Sequence, residues 1–286
     1  MSNLSDLELK VIEEIDVKNP GSALGEAIGH LMEEALAQYI TPLVLDHSCK
    51  LITTGPFNKK TKKYTKLLLT DAYGTDYSID GVIINERSQP VILLESKYIR
   101  YKKHNRDKGS WICHAHGSIR NRYNSVRSCI AILAGSWSKT SLRMMASHNI
   151  NIFHIPFENI ACILDQHDIN FRWGEKERDI ALDAWKKFIA LTPEQHLEIG
   201  TELIKPVLED LKVLIDKTLS DETPRSIAQV MIEIKTTLGE IKRFYFKDRE
   251  SALEFLDDFS FDEIMNHAHS FTIFDKPVID VEEEDI

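Results

Sequence analysis

The chain has 286 residues, 43% hydrophobic and 28% charged, which suits a globular protein with one large core or a core plus a smaller domain. No apolar run approaches the ~20 residues that cross a bilayer, and the polar, acidic stretch Met1 to Glu14 is unlike a secretory signal. The cysteines Cys49, Cys113, Cys129 and Cys162 are widely spread with no CxxC pairing, so a reduced, cytoplasmic protein without membrane contact is expected.

The net charge of −10 argues at first against a nucleic-acid partner. Its distribution argues the other way. Residues 59–143 carry 17 Lys and Arg against 6 Asp and Glu, while the flanks 1–58 and 144–286 carry 3 against 9 and 15 against 30. A local basic surface can neutralise phosphates whatever the global charge, unless the acidic flanks cancel it in space.

In chain order, Asn19-Pro20-Gly21-Ser22 reads as the turn and cap of a helix from Ser22 to about Tyr39, with Leu24, Ile28, Leu31 and Leu36 at helical spacing. The lysine-rich Asn58 to Lys66 reads as a loop or hairpin turn. Strands are expected over Tyr77–Ile84 and Val91–Lys97, separated by the turn residues Asn85 to Pro90. A helix over Ser118–Ser128, a buried strand Ile130–Gly135, a helix Ser138–Ser147, a strand Ile150–Ile155 and a helix Phe157–Leu164 follow. This alternation predicts an α/β fold, a mixed central sheet flanked by helices.

Past about Asp168 the pattern changes. Residues 175–219 read as amphipathic helix, with Thr192-Pro193 starting one segment. Ile227–Lys235 and Ile241–Lys247 alternate around Leu238-Gly239 as a hairpin, followed by a helix Ser251–Phe259 and an acidic tail Val281–Ile286 expected to be disordered. The expected division is a core over 1–168 and a C-terminal helical and β-hairpin region over 169–286, serving dimerisation or target recognition.

Six acid-x-Lys triplets occur, ending at Lys10, Lys18, Lys97, Lys212, Lys235 and Lys242, which is about the number chance allows. Glu95-Ser96-Lys97 differs in context. It closes a buried strand, so Glu95 and Lys97 project from one face. A tight turn joins it to a strand carrying Asp80, and an antiparallel pairing can set Asp80 beside Glu95. Burying two carboxylates and an ammonium is costly unless they pair or bind metal. Mg²⁺ takes one or two carboxylates, keeps waters and completes its shell with phosphate oxygens. Two acids and a lysine are thus what phosphodiester hydrolysis needs. The rival Glu233-Ile234-Lys235 has its upstream acids, Asp221 and Glu222, beside Pro224 in a loop.

Asp80, fifteen residues, then Glu95-Ser96-Lys97 resembles the PD-(D/E)xK nuclease signature. The helix start Gly21-Ser22-Ala23-Leu24-Gly25-Glu26-Ala27-Ile28 resembles the glycine-rich helix that carries an extra acid in several type II restriction endonucleases. The likeness spans residues from about 20 to 165, and the usual proline is replaced by Ile79. It implies a restriction-endonuclease-like core with Asp80 and Glu95 as Mg²⁺ ligands, Lys97 and Glu26 as further catalytic residues, and a homodimeric enzyme cutting double-stranded DNA. Glu33 shares a helix face with Glu26 and is its rival. A repair nuclease or junction resolvase on the same core, and a non-catalytic nucleic-acid-binding protein, remain alternatives.

Downstream, Arg100, Lys102, Lys103 and Arg106 are interleaved with Tyr98, Tyr101 and Trp111, and Arg120, Arg122, Asn124 and Arg127 follow on the expected helix. These residue types suit phosphate contact and base reading, so these eight are the expected DNA contacts. Cys113-His114-Ala115-His116 lacks the four ligands and spacing of a structural zinc site. Its histidines are expected to be ordinary polar residues before a helix, or to touch phosphate.

Overall fold

The computed structural model describes residues 19–220, 225–260 and 262. Two compact units divide the chain, residues 1–220 and 221–286. Among the described residues no helix is long and apolar enough to cross a membrane.

The first unit opens with helix α1 (Pro20–Leu45). Asn19 caps it by accepting from the Ser22 amide, and Pro20 sits at the first turn, where its missing N–H costs nothing. Strands β1 (Lys50–Ile52), β6 (Gly81–Ile84), β7 (Pro90–Ile99), β8 (Ser128–Gly135) and β9 (Ile150–Pro156) form one sheet in that spatial order. The sheet is mixed: β1, β6 and β7 run antiparallel to one another, whereas β7, β8 and β9 are parallel. Between β1 and β6 lie two hairpins, β2 (Phe57–Asn58) with β3 (Lys63–Tyr64), and β4 (Leu68–Thr70) with β5 (Asp76–Ser78). Helices α2 (Asn105–Arg122), α3 (Lys139–Ser147) and α4 (Phe157–Asp165) alternate with the last strands.

Both faces of the sheet are covered, so β7 and β8 read as continuous apolar runs rather than as alternating ones. Ile92, Leu94, Ile130, Ile132 and Ala134 pack with α1 and α4. Leu93, Cys129, Ala131 and Leu133 pack on the other face with Ile112, Ala115 and Ile119 of α2 and Leu142 of α3.

The first core also takes in α5 (Arg178–Ile189), α6 (Pro193–Ile204) and α7 (Leu208–Leu219). Gly200 of α6 lies so close to α1 that a Cβ there would come within 2.9 Å of the Leu31 carbonyl oxygen. The change of pattern near Asp168 is therefore not a break between cores. Phe171, Trp173, Trp185 and Phe188 bury into the same interior as the sheet, and the compact units part after Ser220. The second unit is a hairpin, β10 (Val230–Lys235) with β11 (Ile241–Phe246), and helix α8 (Arg249–Asp257). Its turn holds Gly239 at φ 90°, a left-handed conformation that glycine adopts without a Cβ penalty. The tail Val281–Ile286 lies outside the described residues.

Two expectations need correction. Tyr77–Ile84 is not one strand: it breaks at Ile79 and Asp80, between β5 and β6. The helix expected over Ser118–Ser128 instead spans Asn105–Arg122, and Ser128 already belongs to β8. The Cys113–His116 motif consequently lies inside a helix rather than before one.

Candidate functional site

Strands β6 and β7 bring the acids together. Gly81 pairs with Leu94, so Asp80, one residue earlier, falls beside Glu95. Asp80 Oδ2 accepts from the Ser96 amide and from Lys97 Nζ, each at 2.8 Å. Lys97 Nζ also lies 2.8 Å from Glu95 Oε1. One ammonium thus bridges two carboxylates, that of Asp80 just before β6 and that of Glu95 on β7. Glu95 and Lys97 share the face of β7 that carries Leu93, which turns them toward α2.

Burial and neighbouring charge together decide how Glu95, Lys97 and His116 hold their protons. Glu95 is 3% exposed, and burial, with the Asp80 charge beside it, pushes its carboxyl up to about 7. Burial alone would lower the Lys97 ammonium, but the two carboxylates outweigh it and raise it, keeping the lysine charged. His116 of α2 is 1% exposed, its Nε2 4.0 Å from Glu95 Oε2. Neither ring nitrogen has a hydrogen-bond partner among the described residues. Burial lowers this imidazole to about 4, so it is neutral at physiological pH. The sequence pattern passed over His116 as a buried neighbour of Glu95. Its spacing of four residues from Ile112 and three from Ile119 is the signal that puts it on the inward face of a helix.

A cleft of about 1060 Å³ opens over the triad, lined also by His30, Glu33 and Glu34 of α1 and by Lys66, Lys108 and Trp111. Glu26 is not in it. Its side chain is 77% exposed, near His30 at 3.9 Å, and it borders a different pocket with Tyr98, Arg100 and Trp173. The acids that α1 sends to the triad cleft are Glu33 and Glu34. The glycines of the helix start have a packing reason: a Cβ on Gly25 would come within 2.9 Å of the Tyr98 ring.

The donor set suits a hard divalent cation. Lys97 occupies Asp80 Oδ2 and Glu95 Oε1, leaving Asp80 Oδ1 and Glu95 Oε2 free of the lysine. Among the described residues no group of three or more His, Cys, Asp or Glu side chains converges as a metal cage. Mg²⁺ does not need one, since water and phosphate oxygens complete its shell.

The expected DNA contacts scatter. Arg100 donates to the carbonyls of Phe171 and Trp173, both at 2.9 Å, and stacks 3.8 Å from the Trp173 ring centre. Lys103 is ion-paired with Glu175. Arg122 donates to the carbonyls of Thr70 and Asp71, clamping the β4–β5 hairpin onto α2. Arg127 donates to the Thr218 carbonyl. Arg120 is half-buried, its charge close enough to the Cys129 thiol to offset part of the burial that raises it, while Lys102, Arg106 and Asn124 are exposed. Arg120, Asn124 and Arg127 do not share a helical face, because α2 ends at Arg122. His114 meets the Tyr77 hydroxyl at 3.1 Å, and burial raises the Cys113 thiol.

No family model and no curated protein matches this chain. Among solved structures it is similar to the crystal structure of AF1548, a protein of unknown function, at 11% identity and a TM-score of 0.29. That match covers 63% of this chain and 99% of the other. Similarity at that level bears on neither fold nor chemistry.

Proposed function

We propose that this protein is a Mg²⁺-dependent endodeoxyribonuclease of the PD-(D/E)xK type, hydrolysing phosphodiester bonds of double-stranded DNA. The observation that carries the reading is the convergence of Asp80, Glu95 and Lys97 in an open cleft, two carboxylates meeting on one cation. The mixed sheet, with the acids on its antiparallel hairpin and helices on both faces, suits a restriction-endonuclease-like core.

Bound through Asp80 and Glu95, Mg²⁺ would polarise the scissile phosphate and lower the pKa of a coordinated water. Asp80 and Glu95 would hold that cation, Glu95 as the carboxylate once its proton has passed to solvent. Lys97 stabilises the charge that builds on the phosphate oxygens as water attacks phosphorus and gives its proton to solvent, while the P–O bond to the leaving strand breaks and the leaving oxygen takes a proton from solvent. His116, neutral and buried behind Glu95, keeps water from that side of the carboxylate. Glu33 takes the role expected for Glu26, because it lines the cleft and Glu26 does not.

The test is incubation of the purified protein with plasmid and phage DNA in Mg²⁺. Cleavage that EDTA stops, and that Asp80→Ala, Glu95→Ala and Lys97→Ala each reduce by about a hundredfold or more, is expected. Glu33→Ala lowers the rate and Glu26→Ala leaves it unchanged. Calorimetry supplies a second readout: Asp80→Ala and Glu95→Ala lose Mg²⁺ binding and Lys97→Ala does not. Full activity in any of the three triad variants overturns the assignment.

A further inference from the structure

The basic surface best placed to meet a substrate is not the segment that follows Lys97. It is the ribbon formed by β2 and β3, in which Phe57 pairs with Tyr64 and Asn58 with Lys63. Its base is fixed by the Gly55 amide donating to the Thr65 carbonyl at 2.9 Å and the Thr65 amide to the Pro56 carbonyl at 3.0 Å. The two arms cross so closely that a Cβ on Gly55 would come within 2.3 Å of the Lys66 carbonyl oxygen. The tip is equally defined. Asn58 Oδ1 accepts from the Lys60 amide at 2.9 Å and the Thr61 amide at 3.3 Å, and Lys62 takes the left-handed turn position at φ 54°. A shape held by its own backbone loses little entropy on binding.

That rigid tip carries Lys59, Lys60, Lys62 and Lys63, all exposed. Among the described residues none of the four is paired with a carboxylate. No acid occurs in the sequence between Asp46 and Asp71. Below the lysines, Phe57 is 51% and Tyr64 65% exposed, packed edge-to-face at 5.2 Å on each other. Lysines also guard exposed strand edges against aggregation, but guarding would leave no bare aromatic pair beside them. Ammonium groups for phosphates and aromatic rings for sugars or bases are the two chemistries nucleic-acid binding combines. The position agrees: Thr53, Thr54 and Lys66, at the root of the ribbon, line the cleft that holds Asp80, Glu95 and Lys97.

We propose that the ribbon Phe57–Tyr64 is an arm that grips the phosphate backbone of duplex DNA at the mouth of the cleft, an inference that rests on the hydrolytic reading above. Duplex is the favoured form because the major groove admits a two-stranded ribbon and its walls present phosphates to both sides of the tip.

The experiment is fluorescence anisotropy on a short labelled duplex in Ca²⁺ without Mg²⁺, across a salt series. The combined variant Lys59→Gln, Lys60→Gln, Lys62→Gln, Lys63→Gln should bind about tenfold more weakly or worse. Its slope of log Kd against log salt should fall by about two units or more, since each lost phosphate contact removes roughly 0.9. The corresponding four-Arg variant should bind as the natural protein does, and thermal melting should show all of them folded. Unchanged affinity and slope in the Gln variant overturns the arm, even if the protein cleaves DNA. Ribbon-dependent binding by a protein that never cleaves in Mg²⁺ upholds the arm and sinks the hydrolytic reading instead. Tighter binding of a single strand or of an RNA duplex overturns the assignment to duplex DNA.

Discussion

The ribbon 57–64 and the segment 98–127 lie on either side of the Asp80–Lys97 hairpin, and both are basic. They spend their charge differently. In the segment, arginines dominate the fixed contacts: Arg100, Arg122 and Arg127 each donate to backbone carbonyls, and Arg100 also stacks on aromatic rings. A guanidinium is planar, weakly hydrated and rich in donors, so it can be buried as a brace. In the ribbon every cation is a lysine, a compact and strongly hydrated charge that stays in water. Charge counted along a chain is thus a poor guide to charge offered to a partner, and the identity of the cation is a better one.

That contrast can be broken at its strongest point. Arg100→Ala removes two carbonyl bonds and the stack over Trp173, and should destabilise the fold by about 3 kcal/mol in denaturant titration, leaving the salt slope of DNA binding unchanged. Arg100→Lys should recover only part, since an ammonium lacks the planar face that stacks on Trp173 and the Nε donor to the Tyr101 hydroxyl. An Arg100→Ala protein of undiminished stability and reduced salt slope would return this residue to the DNA interface.

Between the two stretches, pH sharpens the account of the triad. Glu95, raised from 4.5 to about 7, keeps a proton in the folded state that the unfolded chain releases, so its contribution to stability is lost as pH rises through that window. His116, lowered from 6.5 to about 4, refuses a proton the unfolded chain accepts, so its contribution grows as pH rises over nearly the same window. In the metal-free protein the two oppose each other. Relative to the natural protein, Glu95→Gln should tilt stability upward with pH between about 4.5 and 6.5, and His116→Gln should tilt it downward. Each change in slope is bounded by about 1.4 kcal/mol per pH unit, the value for one proton. Melting at constant ionic strength measures both, and tilts of the same sign would contradict the burial of one partner.

The smallest effects are expected from the exposed cations of the segment. Lys102→Ala and Arg106→Ala should each change DNA affinity by no more than about twofold, a few tenths of a kcal/mol. A loss as large as that of the four-lysine ribbon variant would move the contact surface back onto α2.

The apolar cores of the central strands were legible because Val91–Leu94 and Ile130–Leu133 are buried on both faces and so leave unbroken hydrophobic runs. Asp80, Glu95 and Lys97 were legible for a related reason: charge at the end of such a run stands out. The first thirteen residues of α2 were not, because Asn105–Lys108 and the exposed positions after them are polar enough to mimic a loop. Of its buried positions, Asn105, Gly109, Ile112, Cys113, Ala115, His116 and Ile119, only Ile112 and Ile119 are large and apolar, too few to dominate the pattern. The roles of Arg100 and Arg122 were hidden altogether. Their acceptors are carbonyls at Phe171, Trp173, Thr70 and Asp71, and no residue type announces where a carbonyl will point.

The mixed pairing of β7 bears on the order in which the molecule assembles. On one edge β7 meets β6, its neighbour across a short turn, and on the other it meets β8, reached only after α2. Closing a short hairpin takes microseconds and little loop entropy, whereas parallel pairing must wait for the crossover helix. Asp80 and Glu95 therefore come face to face while water still surrounds them, before the layer carrying His116 closes over Glu95. Lys97, on the same strand as Glu95, is at hand from the first contact to offset their repulsion.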